Sequence, residues 1–246
     1  TRYSCLASLL LALSITGCST LEYYIQAVAG HLDIISHRKP IAMLIEQPET
    51  PKNLKQKLSR VLQIRKFATQ ELGLPDNGSY TGYTDVDRPY VVWNVVATPE
   101  LSMIPKTWCF PIAGCVSYRG YFSHEKAKLF AHTLRQRGYD VAITGVRAYS
   151  TLGWFKDPIL NTVIHYSDPE LASLIFHELS HQMIYISDDS IFNESFATVV
   201  EQEGTRRWLE NTGHPDAIIP YQTKKRRQQT FISLIMNYRD LLSEIF

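Results

Sequence analysis

The stretch Leu174–Gln182, LIFHELSHQ, carries two histidines four residues apart, His177 and His181, and Glu178 directly follows the first of them. Four residues make about one turn of a helix, a rise of roughly 6 Å, so both imidazoles project from the same face. Two neutral imidazoles in that arrangement can bind one zinc ion, and the adjacent carboxylate can take a proton from a zinc-activated water. The stretch therefore predicts a helix that carries part of a zinc site.

The residues before this stretch have the features of a helix start. Asp168 can act as the N-cap, Pro169 fits the first helical position and Glu170 places an acid in the first turn. Apolar residues then recur at helical spacing, at Leu171, Leu174, Ile175, Leu179 and Met183. The two histidines are therefore predicted to lie inside one helix and to project from a defined face of it.

A catalytic zinc ion usually takes three protein ligands, so the two histidines need a partner. Glu194 is favoured, because it lies early in a helix predicted from about Asn193 to Asn211, after a loop of about seven residues. Glu201, two turns further along and near the same face, is the alternative ligand, and its other possible role is to orient a ligand histidine. His165 and His214 could also bind a metal but fit loop or surface positions better.

The composition is that of an ordinary folded chain. The 246 residues are 45% hydrophobic and 20% charged, with a formal net charge of +1, and a chain of this length can bury one substantial core. The basic cluster Lys224–Arg227 is interpreted as a solvated stretch at the start of the last helix, from about Gln222, rather than as a binding patch. No nucleic-acid partner is therefore expected, and the oligomeric state is not indicated.

The N-terminus has the pattern of an export signal. Arg2 precedes the apolar run Leu6–Ile15, which is too short to span a bilayer as a permanent helix. The residues Ile15–Cys18, with the sequence ITGC, resemble the bacterial lipobox, although an ordinary signal peptide is the alternative. The resemblance implies that residues 1–17 are a lipoprotein signal peptide and that Cys18 carries the lipid that anchors the protein to a membrane.

Further residues refine the expected location. Ser19, rather than Asp, follows the lipobox cysteine, which by the lipoprotein sorting rule implies the bacterial outer membrane, with the protein facing the periplasm. Cys109 and Cys115 are six residues apart, and in that oxidising compartment a local disulfide between them is expected. Two buried free thiols, or a role of these cysteines in metal binding, are the alternatives.

The order of helical and extended patterns predicts an α+β fold. A small mixed or antiparallel sheet should pack beside a helical bundle that carries the zinc helix and the Glu194 helix, with the cleft between them. Residues 18–246 are expected to form a single metallopeptidase domain, truncated at the C-terminus because the last helix reaches Phe246 without a capping signal. Strands are predicted at Tyr90–Ala97, within Trp108–Tyr121 and at Val141–Ile143.

Several motifs together carry a resemblance to a known family. They are Phe176–Gln182, Asn193–Ala197, Trp108–Pro111, Tyr118–Tyr121 and Tyr149–Phe155. These motifs are similar to those of a bacterial lipoprotein family described as putative aminopeptidases, within the gluzincin-like clan of zinc peptidases. The resemblance implies that His177, His181 and Glu194 bind one Zn²⁺ ion and that Glu178 is the catalytic base.

The expected reaction is hydrolysis of a peptide bond in a peptide or protein substrate. Glu178 would accept a proton from the zinc-activated water and return it to the leaving amine. A further donor should stabilise the negative charge on the carbonyl oxygen, and Tyr149, Tyr166 and Tyr185 are the candidates among which the sequence does not choose.

Cleavage from the amino terminus would need an additional acid that binds the substrate ammonium. Glu100 follows the strand Tyr90–Ala97, predicted to be an edge strand, and is the candidate, with a solvated loop glutamate as the alternative. Two other functions remain open. They are an envelope metalloendopeptidase and a non-catalytic, anchored binding or structural lipoprotein.

Overall fold

The computed structural model describes residues 20–110 and 114–245; the predicted signal peptide 1–17, Cys18 and Phe246 lie outside the described residues. Among the described helices, none combines the length and the apolarity that a bilayer crossing needs. The helices are α1 (20–36), α2 (Ile41–Glu46), α3 (Lys52–Gln70), α4 (His124–Arg135), α5 (Asn161–Ile164), α6 (Asp168–Met183), α7 (Ser190–Asn211) and α8 (Ile218–Ser243).

The strands form small sheets beside these helices. They are β1 (Lys39–Pro40), β2 (Gly82–Thr84), β3 (Val92–Pro99), β4 (Trp108–Phe110), β5 (Gly114–Val116), β6 (Arg119–Tyr121), β7 (Tyr139–Val146) and β8 (Ile159–Leu160). One sheet has the order β1-β2-β8 and is mixed, one is antiparallel with the order β6-β3-β7, and β4 and β5 form a hairpin. The predicted α+β fold is confirmed.

The strand predicted at Tyr90–Ala97 occupies a different place in its sheet from the one expected. It corresponds to β3, which is the central strand and not an edge strand, because β6 pairs along one side and β7 along the other. The pairing with β7 runs from Val92 opposite Val146 to Pro99 opposite Tyr139. A single strand pattern records which face is buried but not which neighbours pair with it, so the sequence could not supply this position.

Helix α6 begins one residue away from the predicted cap. The N-cap is Ser167, whose backbone N–H donates to Glu170 Oε2 at 2.9 Å in a capping box. The carboxylate of Asp168, the predicted cap, instead pairs with two cations of α3, Lys57 Nζ at 2.9 Å and Arg60 Nε at 2.8 Å. The start of α6 is therefore stabilised by its own cap, and two ion pairs join it to α3.

The main core fixes the orientation of α6. Leu171, Ile175, Phe176 and Leu179 are fully buried on it, in one hydrophobic cluster with residues of α3 and with Trp208 of α7. Burial of each such side chain contributes about 1.5–3 kcal/mol. Because this face of α6 is buried in the core, His177 and His181 project from the opposite face, which lies beside α7.

Candidate metal centre

Helix α6 brings the two histidines together, as predicted. His177 Nε2 lies 3.2 Å from His181 Nε2, and the two rings meet nearly edge to face, with centroids 4.8 Å apart. His181 is 9% exposed at its side chain and His177 is 20% exposed. Packing of the helix therefore restricts both rings, and their Nε2 atoms face a common point.

The third predicted ligand reaches the same point from α7. That helix begins at Ser190, before the predicted Asn193, because Asp189 caps it by accepting from the backbone N–H of Phe192 at 2.9 Å. The side chain of Asn193 closes the loop before it. Its Oδ1 accepts from Ile186 N at 2.8 Å and its Nδ2 donates to Ile186 O at 2.7 Å. These two hydrogen bonds to the loop position the next residue, Glu194, beside the histidines.

The three side chains fit a metal ion. Glu194 Oε2 lies 3.3 Å from His177 Nε2, and Glu194 Oε1 lies 3.6 Å from His181 Nε2. One ligand atom from each of the three residues can be chosen so that all lie within 4.8 Å of one another. Two imidazole nitrogens and one carboxylate oxygen form a donor set typical of zinc.

Glu201 occupies a different position from the third ligand. Its Oε2 lies 3.0 Å from His177 Nδ1, the ring nitrogen that faces away from Glu194. Its Oε1 accepts from Ser173 Oγ at 2.5 Å and from the ammonium of Lys225. A carboxylate on Nδ1 holds the proton there and leaves Nε2 as an electron-pair donor. The geometry therefore favours the orienting role for Glu201.

The electrostatics of the centre favour a positive charge. Burial lowers the pKa of His177, but hydrogen bonds with Glu194 and Glu201 outweigh it and raise the pKa to about 10. Burial raises the pKa of Glu201, and hydrogen bonds with His177, Lys225 and Ser173 outweigh that effect and lower it to about 2. The carboxylates thus retain a proton on His177 when no metal ion is bound, and a divalent cation can replace that proton.

Glu178 lies on the cleft next to the centre. Burial raises its pKa, the charge of His177 opposes that change and Glu194 adds to it, with a resulting value of about 7. A carboxyl group that titrates near neutral pH can both accept and return a proton. Glu178 is therefore available as a candidate general base beside His177.

A cleft of about 940 Å³ separates α6, which carries the two histidines, and α7, which carries Glu194, from the antiparallel sheet. His177, Glu178, His181 and Glu194 line one side. The other side is formed mainly by residues of the strands and their loops, with Tyr23 of α1 beside them; the strand and loop residues include Val92, Asn94, Phe110, Cys115, Tyr118, Gly120, Phe122, Tyr149 and Leu152. The site thus lies between helices and sheet, where the cleft was expected.

The tyrosines near the metal centre differ in their positions and in their hydrogen-bond partners. The hydroxyl of Tyr149 lies 2.8 Å from His31 Nδ1, and the ring of Tyr185 lies 6.4 Å from that of His181. Tyr166 lines a separate hollow on the other side of Glu178. Tyr118, which the sequence reasoning did not consider as a donor, lies between β5 and β6 and lines the cleft. Burial, then Tyr185, Glu194 and Glu178, raise the pKa of Tyr118.

The remaining predicted residues are Glu100 and the two cysteines. Glu100 is exposed at the end of β3 and is not among the residues that line the cleft. The predicted disulfide is confirmed, since Cys109 and Cys115 are joined across the β4–β5 hairpin. The backbone N–H of Cys115 donates to Asp188 Oδ1 at 2.9 Å, so the hairpin is fixed to the loop between α6 and α7.

One basic residue has a place in the site that the sequence reasoning missed. The cluster Lys224–Arg227 was interpreted as solvated, and this is wrong for Lys225, whose side chain is 29% exposed and pairs with Glu201. The physical reason is that α8 begins at Ile218, before the predicted Gln222, so its second turn passes beside α7. No local sequence signal indicates this pairing, because it joins residues of separate helices.

Comparison with known proteins found one family match. A family model described as "Putative aminopeptidase" matches residues 22–246, which include α6, α7 and the residues of the cleft. No curated protein and no solved structure matched the chain. Because the matched region covers nearly the whole sequence, the chain belongs to the family described as putative aminopeptidases.

Proposed function

We propose that this protein hydrolyses peptide bonds with one zinc ion held by His177, His181 and Glu194, and with Glu178 as general base. The observation that carries the proposal is the convergence of the three ligand side chains beside Glu178 in a cleft. Membership of a family described as aminopeptidases supports a peptide substrate. A non-catalytic role would not account for the position of Glu178 beside the three ligand side chains.

The residues divide the chemistry between them. Zinc, when bound, supplies a Lewis acid that polarises the scissile carbonyl and acidifies a water molecule. Glu178 accepts the proton of the attacking water and delivers it to the leaving amine. Glu201 holds the proton on His177 Nδ1, and the α6–α7 packing keeps the ligand side chains in place, which limits reorganisation during the reaction.

The family description and the lining of the cleft bear on whether cleavage occurs at the amino terminus or within a chain. The family description favours removal of an amino-terminal residue. Cleavage within a chain is the second candidate, because Glu100, the residue predicted to bind the substrate ammonium, lies outside the cleft.

We also propose that the protein acts in the bacterial envelope, anchored by lipid on Cys18 to the outer membrane and facing the periplasm. The lipobox resemblance supports this location, and so does the Cys109–Cys115 disulfide.

The test of this function combines metal analysis with two peptide substrates. The purified protein should contain one zinc ion per chain by mass spectrometry of its metals, and hydrolysis should stop with a chelator and return with added zinc. A peptide with a free amino terminus and its N-acetylated form should then be compared. Faster cleavage of the free peptide identifies an aminopeptidase, and equal rates identify an endopeptidase. A zinc-loaded protein that cleaves neither would contradict the proposal.

Tyr118 is the favoured donor to the substrate carbonyl oxygen. It lies on the wall of the cleft opposite the ligand helices, near enough to Glu194 and Glu178 for their charges to contribute to its raised pKa. Its hydroxyl, like that of any ordinary tyrosine, is protonated at neutral pH and can donate. The substitution Tyr118→Phe should lower kcat on the order of 10²-fold, because one donor to the developing oxyanion is lost. Zinc content should not change. Steady-state kinetics on the preferred peptide would measure the effect.

Tyr149 offers a matched control for this substitution. It also lines the cleft, but its hydroxyl already bonds to His31. Tyr149→Phe should therefore change kcat much less than Tyr118→Phe does. The reverse order of effects would move the donor role from Tyr118 to Tyr149.

A further inference from the structure

Helix α8 contacts the metal centre through one side chain. The ammonium of Lys225 pairs with Glu201 Oε1, and Glu201 is 9% exposed at its side chain. Tyr221, one turn earlier, is the one residue of α8 that is buried. Its hydroxyl reaches Ser173 Oγ at 3.5 Å, and Lys225 Nζ lies 5.8 Å from its ring centre. The start of α8 thus closes the far side of the carboxylate that holds His177.

Both oxygens of Glu201 are used, and by different partners. Oε2 serves His177 Nδ1, whereas Oε1 accepts from Ser173 Oγ and from Lys225. A carboxylate removed from water is costly unless its charge is matched and its lone pairs are satisfied. Lys225 supplies the matching charge from outside the metal centre. Its pull on Oε1 fixes the rotation of the carboxylate, and with it the direction of Oε2.

The neighbouring residue shows that this contact is specific. Lys224 pairs with Glu170 at the start of α6 and is 67% exposed at its side chain, so it takes part in an open surface contact. Lys225 is 29% exposed and reaches the buried carboxylate. Surface ion pairs contribute about 0–1 kcal/mol, whereas losing one partner of a buried pair has a larger effect. The two adjacent lysines therefore form a natural pair of test and control.

We propose that Lys225 is a positioning residue of the metal centre. By pairing with Glu201 it holds the ring of His177 with Nε2 directed at the ligand point, so α8 tunes the affinity of the centre for zinc. The proposal rests on the proposed function, since it takes His177 as a zinc ligand. Two opposing effects decide the sign. The Lys225 cation repels a metal ion, but the Glu201 carboxylate and the His177 ring stand between them, so loss of orientation should outweigh relief of repulsion.

The experiment measures zinc affinity directly. Lys225→Met in the full chain should raise the zinc dissociation constant by roughly 3- to 10-fold, because Lys225 acts through Glu201, and the loss of a group bonded directly to a metal ligand typically has an effect of about 10- to 100-fold. Competition with a chromogenic chelator at fixed pH gives this constant. Lys224→Met, the matched control, should leave it within about twofold of the wild-type value, as expected for a surface pair.

Two further measurements separate positioning from a general loss of structure. Lys225→Arg keeps the cation and should restore most of the zinc affinity. Without zinc, the Lys225→Met variant should unfold at a somewhat lower temperature than Lys224→Met, because it leaves the buried Glu201 carboxylate without its matching charge, but both should unfold in one cooperative transition. Added zinc should raise the Tm of the Lys225 variant less than that of the Lys224 variant.

The outcomes distinguish the two proposals. A wild-type protein that binds no zinc overturns both of them. A wild-type protein that binds zinc, together with a Lys225→Met variant that binds it equally or more tightly, overturns only the role of Lys225. Equal weakening by the Lys224 and Lys225 substitutions would also overturn that role, since the effect would then follow from surface charge alone.

Discussion

Replacing Glu178 with glutamine should lower kcat by about 10²- to 10⁴-fold and leave zinc bound, because the loss of a general base has effects of this size. The amide has nearly the shape of the carboxylate but cannot accept the proton of the attacking water. Glu178 is not part of the ligand group formed by His177, His181 and Glu194, so the metal affinity should persist. Peptide hydrolysis and zinc content, measured on the same preparation, would check this.

The control for this substitution is a glutamate of similar chemistry away from the cleft. Glu125 lies in the first turn of α4 and is exposed, paired only weakly with Lys128. Glu125→Gln should leave kcat and zinc content unchanged. Full activity of the Glu178→Gln variant would remove Glu178 from the mechanism and would require another base in the cleft.

The parts of this site that the sequence predicted depend on residues that lie close together in the chain. The spacing of His177 and His181 fixes their common face once a helix forms, and the helix is encoded by apolar residues at helical spacing. Glu194 could be proposed because the connection between α6 and α7 is short, which restricts where the next helix can begin. In each case the geometry follows from residues that lie close together in the chain.

The parts that the sequence did not predict depend on contacts between distant segments. Lys225 meets Glu201 only because α8 packs beside α7, and Tyr118 reaches the cleft only because the β5–β6 turn folds toward α6. The position of β3 at the centre of its sheet is set by two partners far away in the sequence. Patterns within one segment do not record such pairings, and for that reason the expected edge strand was wrong.

Replacing Glu194 with glutamine should weaken zinc binding more than replacing Glu201 with glutamine does. Glu194 faces the Nε2 atoms of both histidines, whereas Glu201 contacts the remote nitrogen of His177. Loss of an outer partner typically reduces metal affinity by about 10- to 100-fold, and loss of a direct ligand should exceed that. Zinc dissociation constants of the two variants, measured by chelator competition, would rank them. The opposite ranking would make Glu201 the third ligand.

The stability of the zinc-free variants should show the reverse order, which separates the two roles by a second observable. Glu194 is 65% exposed at its side chain, so its carboxylate is largely hydrated and its neutral amide should cost little. Glu201 is 9% exposed, and its substitution leaves Lys225 without a matching charge. Urea unfolding with a chelator present should therefore find Glu201→Gln the less stable variant, by about 1–3 kcal/mol. If Glu194 is the direct ligand and Glu201 the orienting group, Glu194→Gln should bind zinc more weakly and Glu201→Gln should be less stable without zinc. If the two roles were exchanged, Glu201→Gln would show both the weaker zinc binding and the lower stability.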